Sequence, residues 1–232
     1  MSARDRRKGR SDLRRRPAEK KERATVHVFL EGEATEHEYV YALSREPEFR
    51  DVVHVVYERE GAVPKTLIDA ACQTKSRAAL ETDSYWCVFD VESPADKQHP
   101  GLRESVGKAH DNGIKVAMSN PCFELWLILH HQNQTGFLTT DAAQHLRNSL
   151  DGDSGKHLDG KVYMPLRQGA VDRARALRRK HEGDGTAFPA DNPSTGFDLF
   201  VDEFSEFATA VSEADQDANG SGEERSVTAR RR

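Results

Sequence analysis

The chain has 232 residues, 36% of them hydrophobic and 31% charged, which is long enough for one α/β domain with a small helical addition. The charge is uneven, because the first 23 residues hold 11 Lys/Arg and four Asp/Glu, a net charge of +7, whereas the whole chain carries −5. There is no apolar run of membrane-spanning length, no signal-peptide core and no zinc-ligand spacing among the three cysteines, so we expect a cytoplasmic protein without a zinc module.

The two ends of the chain differ in composition from the rest. Residues 1–24 form a basic arm, and two interpretations of it remain open, namely an arm that contacts nucleic acid and a disordered, solubilising tail. We expect disorder in this arm and in the acidic, Gly- and Ser-rich segment 212–232. Between them we predict an α/β domain at residues 25–138 and a helical C-terminal part at residues 139–211 that completes it.

The first part of the chain alternates between strand and helix patterns. Four runs of β-branched and apolar residues predict strands at 25–31, 52–57, 85–89 and 114–118. Helical spacing follows each run, at about 35–43, 67–80, 102–112 and 122–131. Thr35 and Glu38 fit a capping box, and Gly113 fits a C-terminal cap. This alternation predicts an α/β fold with a mainly parallel sheet of about four strands and flanking helices.

The alternation stops after residue 139. Apolar spacing there predicts helices at 141–150, 165–180 and 194–211. The segment 151–162 lacks such spacing and is expected to be an exposed loop. These patterns predict the helical C-terminal part.

Acidic side chains follow two of the predicted strands. Glu31 ends the first strand, and Asp90 and Glu92 follow the third. Because parallel strands end at one edge of a sheet, we expect these carboxylates to lie together, where they would repel one another unless a cation binds. Mg²⁺ or Mn²⁺ prefers such oxygen ligands. Residues 90 and 92 are two apart, so their side chains are expected to point the same way, and Gly32 leaves room for a phosphate or metal.

Other residues near these strand ends allow more than one interpretation. The acids at the start of the first helix are interpreted as charges that favour the helix dipole: Glu33, Glu36 and Glu38. Glu124 lies in an apolar helix, where a charge is expected to be paired or functional, or else to reach the surface or bond a backbone N–H. His130, near the end of that helix, is interpreted as a dipole partner or a packed ring. Ser119 and Asn120 end the fourth strand and are, with Gly32, candidate substrate-binding residues.

Three stretches resemble the motifs of a known family: 29–36 with Tyr39, 88–92, and 119–126 with Leu129 and His130. In this order they resemble the three motifs of RloB-like proteins, over roughly residues 26–200. The resemblance implies a Toprim-like domain, similar to the abortive-infection component AbiL, in which one Glu and an acidic pair bind Mg²⁺. On this basis Glu31 matches the Toprim glutamate. Asp90 and Glu92 match the pair, which is usually Asp-x-Asp.

The resemblance implies a nuclease that cleaves DNA or RNA with Mg²⁺ or Mn²⁺ in anti-phage defence, beside an ATPase partner. Glu31 is then expected to bind metal or transfer a proton, and Asp90 and Glu92 to bind metal. Glu124 would be a second-site ligand or an orienting residue. A topoisomerase would need a separate transesterifying domain, for which this chain is too short. A bacterial-type primase usually has a zinc module, which the three scattered cysteines cannot form.

Two other functions are alternatives to the nuclease. One is a non-catalytic sensor or regulatory subunit, which would bind nucleic acid through the basic arm and dock an ATPase through the helical part. The other is a nucleotide-binding protein, which has less support because the chain lacks a G-x-x-x-x-G-K-[ST] loop.

Overall fold

The computed structural model describes residues 23–59, 61–78, 83–152, 155 and 157–229. Strands and helices alternate in the first part of the chain, as β1 (Ala24–Leu30), α1 (Thr35–Ser44), β2 (Val53–Arg59), α2 (Pro64–Ala78), β3 (Asp83–Asp90), α3 (Leu102–Asp111), β4 (Lys115–Asn120) and α4 (Glu124–His131). The later part comprises α5 (Thr140–Asp151), α6 (Gly160–Tyr163), α7 (Arg167–Asp184), β5 (Ser194–Thr195) and α8 (Phe197–Ala229). Short 3-10 turns lie at Ala95–Lys97 and Met164–Leu166.

The strands form one sheet in the order β2-β1-β3-β4-β5. β1 pairs in parallel with β2 and β3, and β3 pairs in parallel with β4, so the predicted mainly parallel α/β architecture is confirmed. Near the carboxyl edge the register places Leu30 opposite Val88 and Asp90 opposite Ser119. The acidic ends of the first and third strands therefore meet at the same edge.

The fifth strand differs from the sequence prediction. Ser194 and Thr195 pair antiparallel with Asn120 and Ser119, although the sequence predicts a helix from residue 194. β4 accordingly continues to Asn120, beyond its predicted end at 118. Two polar residues carry no strand periodicity. This strand forms because the open edge of β4 presents backbone groups that need hydrogen-bond partners.

Helices cover both faces of the sheet. On one face α1, α4, α7 and α8 bury an aromatic-rich core that includes Tyr39, Trp126, Tyr163, Phe197 and Phe204. On the other face α2 and α3 pack over a smaller core that includes Phe29, Leu67, Cys87 and Phe89. This double cover explains why the central strands are apolar almost throughout. Within the described part of the chain, no helix combines the length and the apolar character needed to span a membrane.

One local prediction is wrong, and another holds only in part. α1 begins at Thr35, with Ala34 as its N-cap and no side-chain capping bond, so there is no capping box. Glu38 instead accepts a hydrogen bond of 2.6 Å from the backbone N–H of Leu158. The segment 151–162 is mostly exposed where the structure describes it, as predicted, although this bond ties it to α1 and it contains the end of α5 and the start of α6.

The ends of the described chain also bear on the predictions. α8 continues to Ala229, past its predicted end at 211 and into the segment for which the sequence predicts disorder. Once the packed turns have nucleated a helix, each further residue adds a backbone hydrogen bond. The basic arm lies outside the described residues except for Arg23 and Ala24, so its role stays a prediction.

Candidate metal-binding site

Four carboxylates from four elements meet at the carboxyl edge of the sheet. Glu31 directly follows β1, and Asp90 is the last residue of β3. Glu36 and Glu124 lie in the first turns of α1 and α4. All four line one pocket of about 520 Å³, which the exposed Glu33 also lines. We call Glu31, Glu36, Asp90 and Glu124 the carboxylate cluster.

Both carboxylate oxygens of Glu31 accept hydrogen bonds. Oε2 accepts the backbone N–H of Asp90 at 2.8 Å, and Oε1 lies 2.9 Å from Nε2 of His99, which donates to it. Burial raises the pKa of Glu31, and these two hydrogen bonds oppose the increase. The side chain is therefore held in one orientation. His99 is a member of this site that the sequence analysis did not identify, because it lies in a loop far from any strand end.

Asp90 is the centre of the cluster. Burial raises its pKa well above the ordinary value, and the Glu36 and Glu124 carboxylates raise it further. Potential ligand atoms of Asp90, Glu124 and Cys122 all lie within 4.8 Å of one another. Burial also raises the pKa of the Cys122 thiol well above its usual range. Mg²⁺ and Mn²⁺ prefer oxygen ligands, so Asp90 and Glu124 are the better candidates of the three.

Glu36 is the main functional candidate that the sequence analysis missed. It does lie in the first helical turn, as a dipole charge would, but only 7% of it is exposed and it lines the pocket. Burial, followed by the Glu124 and Glu31 carboxylates, raises the pKa of Glu36 to about 7. Its carboxylate accepts the Gly32 backbone N–H, and a Cβ at residue 32 would overlap this carboxylate. The available signal was the short E-G-x-x-T-E spacing, which lets Glu36 fold back over Gly32.

Glu92 points elsewhere. Its backbone is in the left-handed region, with φ of 70°, so the extended geometry that would align it with Asp90 ends before it. Its Oε2 accepts a hydrogen bond of 2.6 Å from the Thr140 hydroxyl on α5. Glu92 still raises the pKa of Asp90 through its charge, but it is not among the residues that line the pocket. Its assignment as a metal ligand stays a prediction.

The side chains of Ser119 and Asn120 form hydrogen bonds with the C-terminal segment. The hydroxyls of Ser119 and Thr195 lie 2.9 Å apart, and the side-chain amide of Asn120 donates to the Pro189 carbonyl and to Asp191, both at 3.0 Å. Ser119 and Asn120 are almost completely buried. Their contacts hold β5 beside β4. A role in substrate binding would require them to exchange these partners.

The carboxylate oxygens in the pocket are suitable ligands for a hard divalent cation. Carboxylate oxygens are the ligands that Mg²⁺ and Mn²⁺ prefer, and the raised pKa values of three members show that the cluster resists full ionisation without one. Among the described residues that line this pocket there is no Lys or Arg to neutralise it. A larger groove of about 920 Å³ lies between α1 and residues 158–165, but it contains none of the predicted site residues.

Comparison with known proteins gives one match. The family model of the RloB-like protein matches residues 26–204, from β1 to the packed first turns of α8. The match includes all members of the carboxylate cluster. Neither the curated proteins nor the solved structures include a significant match to the chain.

Proposed function

The chain belongs to the RloB-like protein family, and we propose that it is a metal-dependent nuclease that hydrolyses phosphodiester bonds of DNA or RNA at the carboxylate cluster. The observation that carries this proposal is the convergence of four carboxylates on one pocket. Carboxylates packed this closely raise one another's pKa and destabilise the metal-free fold. Such groupings of perturbed acids are typical of functional sites.

The residues suggest separate roles. Asp90 and Glu124, with ligand oxygens within 4.8 Å of each other, are the best placed to hold Mg²⁺ or Mn²⁺, and Glu31 lies beside them in a fixed orientation. A bound cation of this kind would lower the pKa of a water molecule and stabilise negative charge on a phosphate. Glu36 lines the same pocket, and without a cation its pKa is raised to about 7. Its place beside the proposed metal ligands supports proton transfer as its role.

The family resemblance supports the wider part of the proposal. A Toprim-like site would use a glutamate after the first strand and an aspartate after a later strand, which are the positions of Glu31 and Asp90. We propose on this resemblance that the nuclease serves anti-phage defence and works with an ATPase encoded alongside it. Co-purification of the chain with the product of an adjacent ATPase gene would test the partnership.

The test of the nuclease is cleavage of mixed DNA and RNA substrates with Mg²⁺ or Mn²⁺, with and without the ATPase. Wild type and Glu206→Gln, a change at an exposed position on α8, should cleave at equal rates. Asp90→Asn and Glu31→Gln should not cleave. If all four proteins behave alike under every condition, the nuclease proposal fails.

The second candidate is the non-catalytic sensor. It is favoured if the chain binds nucleic acid with an affinity that falls steeply with salt, through the basic arm, and binds no Mn²⁺. Saturable Mn²⁺ binding that Asp90→Asn weakens favours the nuclease.

A further inference from the structure

A buried hydrogen bond joins α1 to α4 behind the carboxylate cluster. The Tyr39 hydroxyl lies 3.0 Å from Nε2 of His130, and both side chains are almost fully buried. Nδ1 of His130 lies 2.9 Å from the backbone carbonyl of Trp126, which can only accept, so Nδ1 carries the proton. Nε2 therefore accepts, and the Tyr39 hydroxyl donates to it.

The pair is neutral and closely surrounded. Burial lowers the pKa of His130 to about 3, so the imidazole carries no charge near neutral pH. The rings of Tyr39, Trp126 and Tyr163 meet the imidazole edge-on, with ring centres 5.0 to 5.4 Å away. This packing restricts the imidazole to one orientation, so the hydrogen bond has a defined direction and length.

The position of the pair relates it to two of the four carboxylates. Tyr39 follows Glu36 by three residues on α1, so the two lie on the same side of the helix about one turn apart. On α4, the carbonyl that holds His130 belongs to Trp126, two residues after Glu124. The helix turns that carry Glu36 and Glu124 are thus joined through Tyr39 and His130.

The hydrogen bond between Tyr39 and His130 opposes the electrostatic repulsion between the Glu36 and Glu124 carboxylates. Glu36 and Glu124 line the same pocket, so their carboxylates repel each other when ionised and tend to separate the two helix ends. The hydrophobic effect is non-directional, so it specifies the relative position of two helices less narrowly than a hydrogen bond does. A buried hydrogen bond between side chains of fixed orientation resists such movement.

We propose that Tyr39 and His130 are positioning residues that fix α1 against α4 and so hold Glu124 where the cation binds and Glu36 beside it. This inference rests on the proposed function, because it concerns the same carboxylates. Neither Tyr39 nor His130 lines the pocket, so both act through the residues that do.

The experiment compares two Tyr→Phe variants. Tyr39→Phe removes only the hydroxyl that donates to His130. Tyr163→Phe is the matched control, because Tyr163 is equally buried, also packs against His130, and donates its hydroxyl to Asp151 at 2.7 Å on α5, away from the cluster. Mn²⁺ affinity is measured by calorimetry for both variants and wild type. We expect Tyr39→Phe to weaken binding about tenfold, as loss of a residue that orients a ligand does, and Tyr163→Phe to leave it unchanged.

A second measurement does not depend on the metal. Amide hydrogen exchange in EDTA should be faster in the first turns of α1 and α4 in Tyr39→Phe than in Tyr163→Phe. If Tyr39→Phe matches wild type in exchange, or if Tyr163→Phe loses as much Mn²⁺ affinity, the positioning role is refuted. Absence of Mn²⁺ binding in wild type would instead refute the proposed function, and the exchange comparison would still decide whether Tyr39 and His130 hold the two helices together.

Discussion

The backbone N–H of Asp90 donates a hydrogen bond of 2.8 Å to Oε2 of Glu31, so the residue that ends β3 orients the carboxylate that follows β1. The pairing of these two neighbouring parallel strands sets the distance between the two backbones. The side chain of Glu31 is therefore positioned by the sheet itself. The first turns of α1 and α4 then add Glu36 and Glu124 to this rigid pair.

The two acids of the Asp90-Val91-Glu92 stretch should differ in their effect on metal binding. Asp90→Asn should weaken Mn²⁺ binding by more than about tenfold, because ligand charge strongly tunes affinity for hard cations. Glu92→Gln should weaken it by less than about threefold, because the Glu92 carboxylate is held by Thr140 outside the pocket. Calorimetric titration with Mn²⁺ measures both. Equal losses would show that Glu92 leaves Thr140 to bind the cation.

The metal-free protein should lose stability as pH rises. In the folded state the pKa of Glu36 is about 7, above its ordinary value of 4.5. Between these pH values the folded chain keeps a proton that the unfolded chain has released, so the free energy of unfolding falls with rising pH. The decrease due to Glu36 is at most about 3 kcal/mol and is complete somewhat above pH 7. Urea unfolding in EDTA at pH 5 and pH 8 measures it.

The matched variant for this pH effect is Glu36→Gln, which should show a smaller decrease between pH 5 and pH 8. Asp90, whose pKa is also raised, would supply the remaining decrease. In the wild-type protein at pH 8, saturating Mn²⁺ should restore the free energy of unfolding, because a ligand that binds the folded state stabilises that state by mass action. A free energy of unfolding that rises between pH 5 and pH 8 in EDTA would contradict the assignment.

Gly32→Ala should impair the metal site with little loss of stability. A Cβ at residue 32 would overlap the Glu36 carboxylate, which is the far end of a flexible side chain and can swing away. Mn²⁺ affinity should then fall by about tenfold or more. Gly107→Ala on α3 is the control, because a Cβ there meets nothing within 4 Å. That helix substitution should leave Mn²⁺ affinity unchanged and raise stability by up to about 1 kcal/mol.

Glu203 on α8 should contribute to the stability of the fold and not to metal binding. Its buried carboxylate accepts hydrogen bonds from the Trp86 indole and the Ser84 hydroxyl, and it pairs with Lys115. Glu203→Ala leaves these donors without their acceptor and should cost about 3 kcal/mol in urea unfolding. The exposed Glu206→Ala on the same helix should cost less than about 0.5 kcal/mol. A large change in Mn²⁺ affinity for Glu203→Ala would be unexpected, since Glu203 does not line the pocket.

The sequence by itself determined the four parallel strands and three members of the site, namely Glu31, Asp90 and, through the family resemblance, Glu124. Apolar β-branched runs separated by helical spacing favour a parallel sheet covered on both faces, and all four predicted strands are present. Once that sheet forms, residues at the ends of neighbouring strands must share an edge. Glu31 and Asp90 could therefore be placed together from strand position alone.

Only the tertiary structure decided the remaining members. Glu36 joins the site because its side chain folds back over Gly32 and because Tyr39 of α1 packs against Trp126 of α4, a contact that spacing along the chain does not encode. The Glu92 carboxylate is directed to Thr140 of α5 because the Glu92 backbone is in the left-handed region, and its assignment as a metal ligand stays a prediction. Ser119 and Asn120 became partners of β5, a strand of two polar residues that exists only because the edge of β4 was open. Strand ends follow from local pattern, whereas side-chain direction depends on which distant element supplies the nearest hydrogen-bond partner.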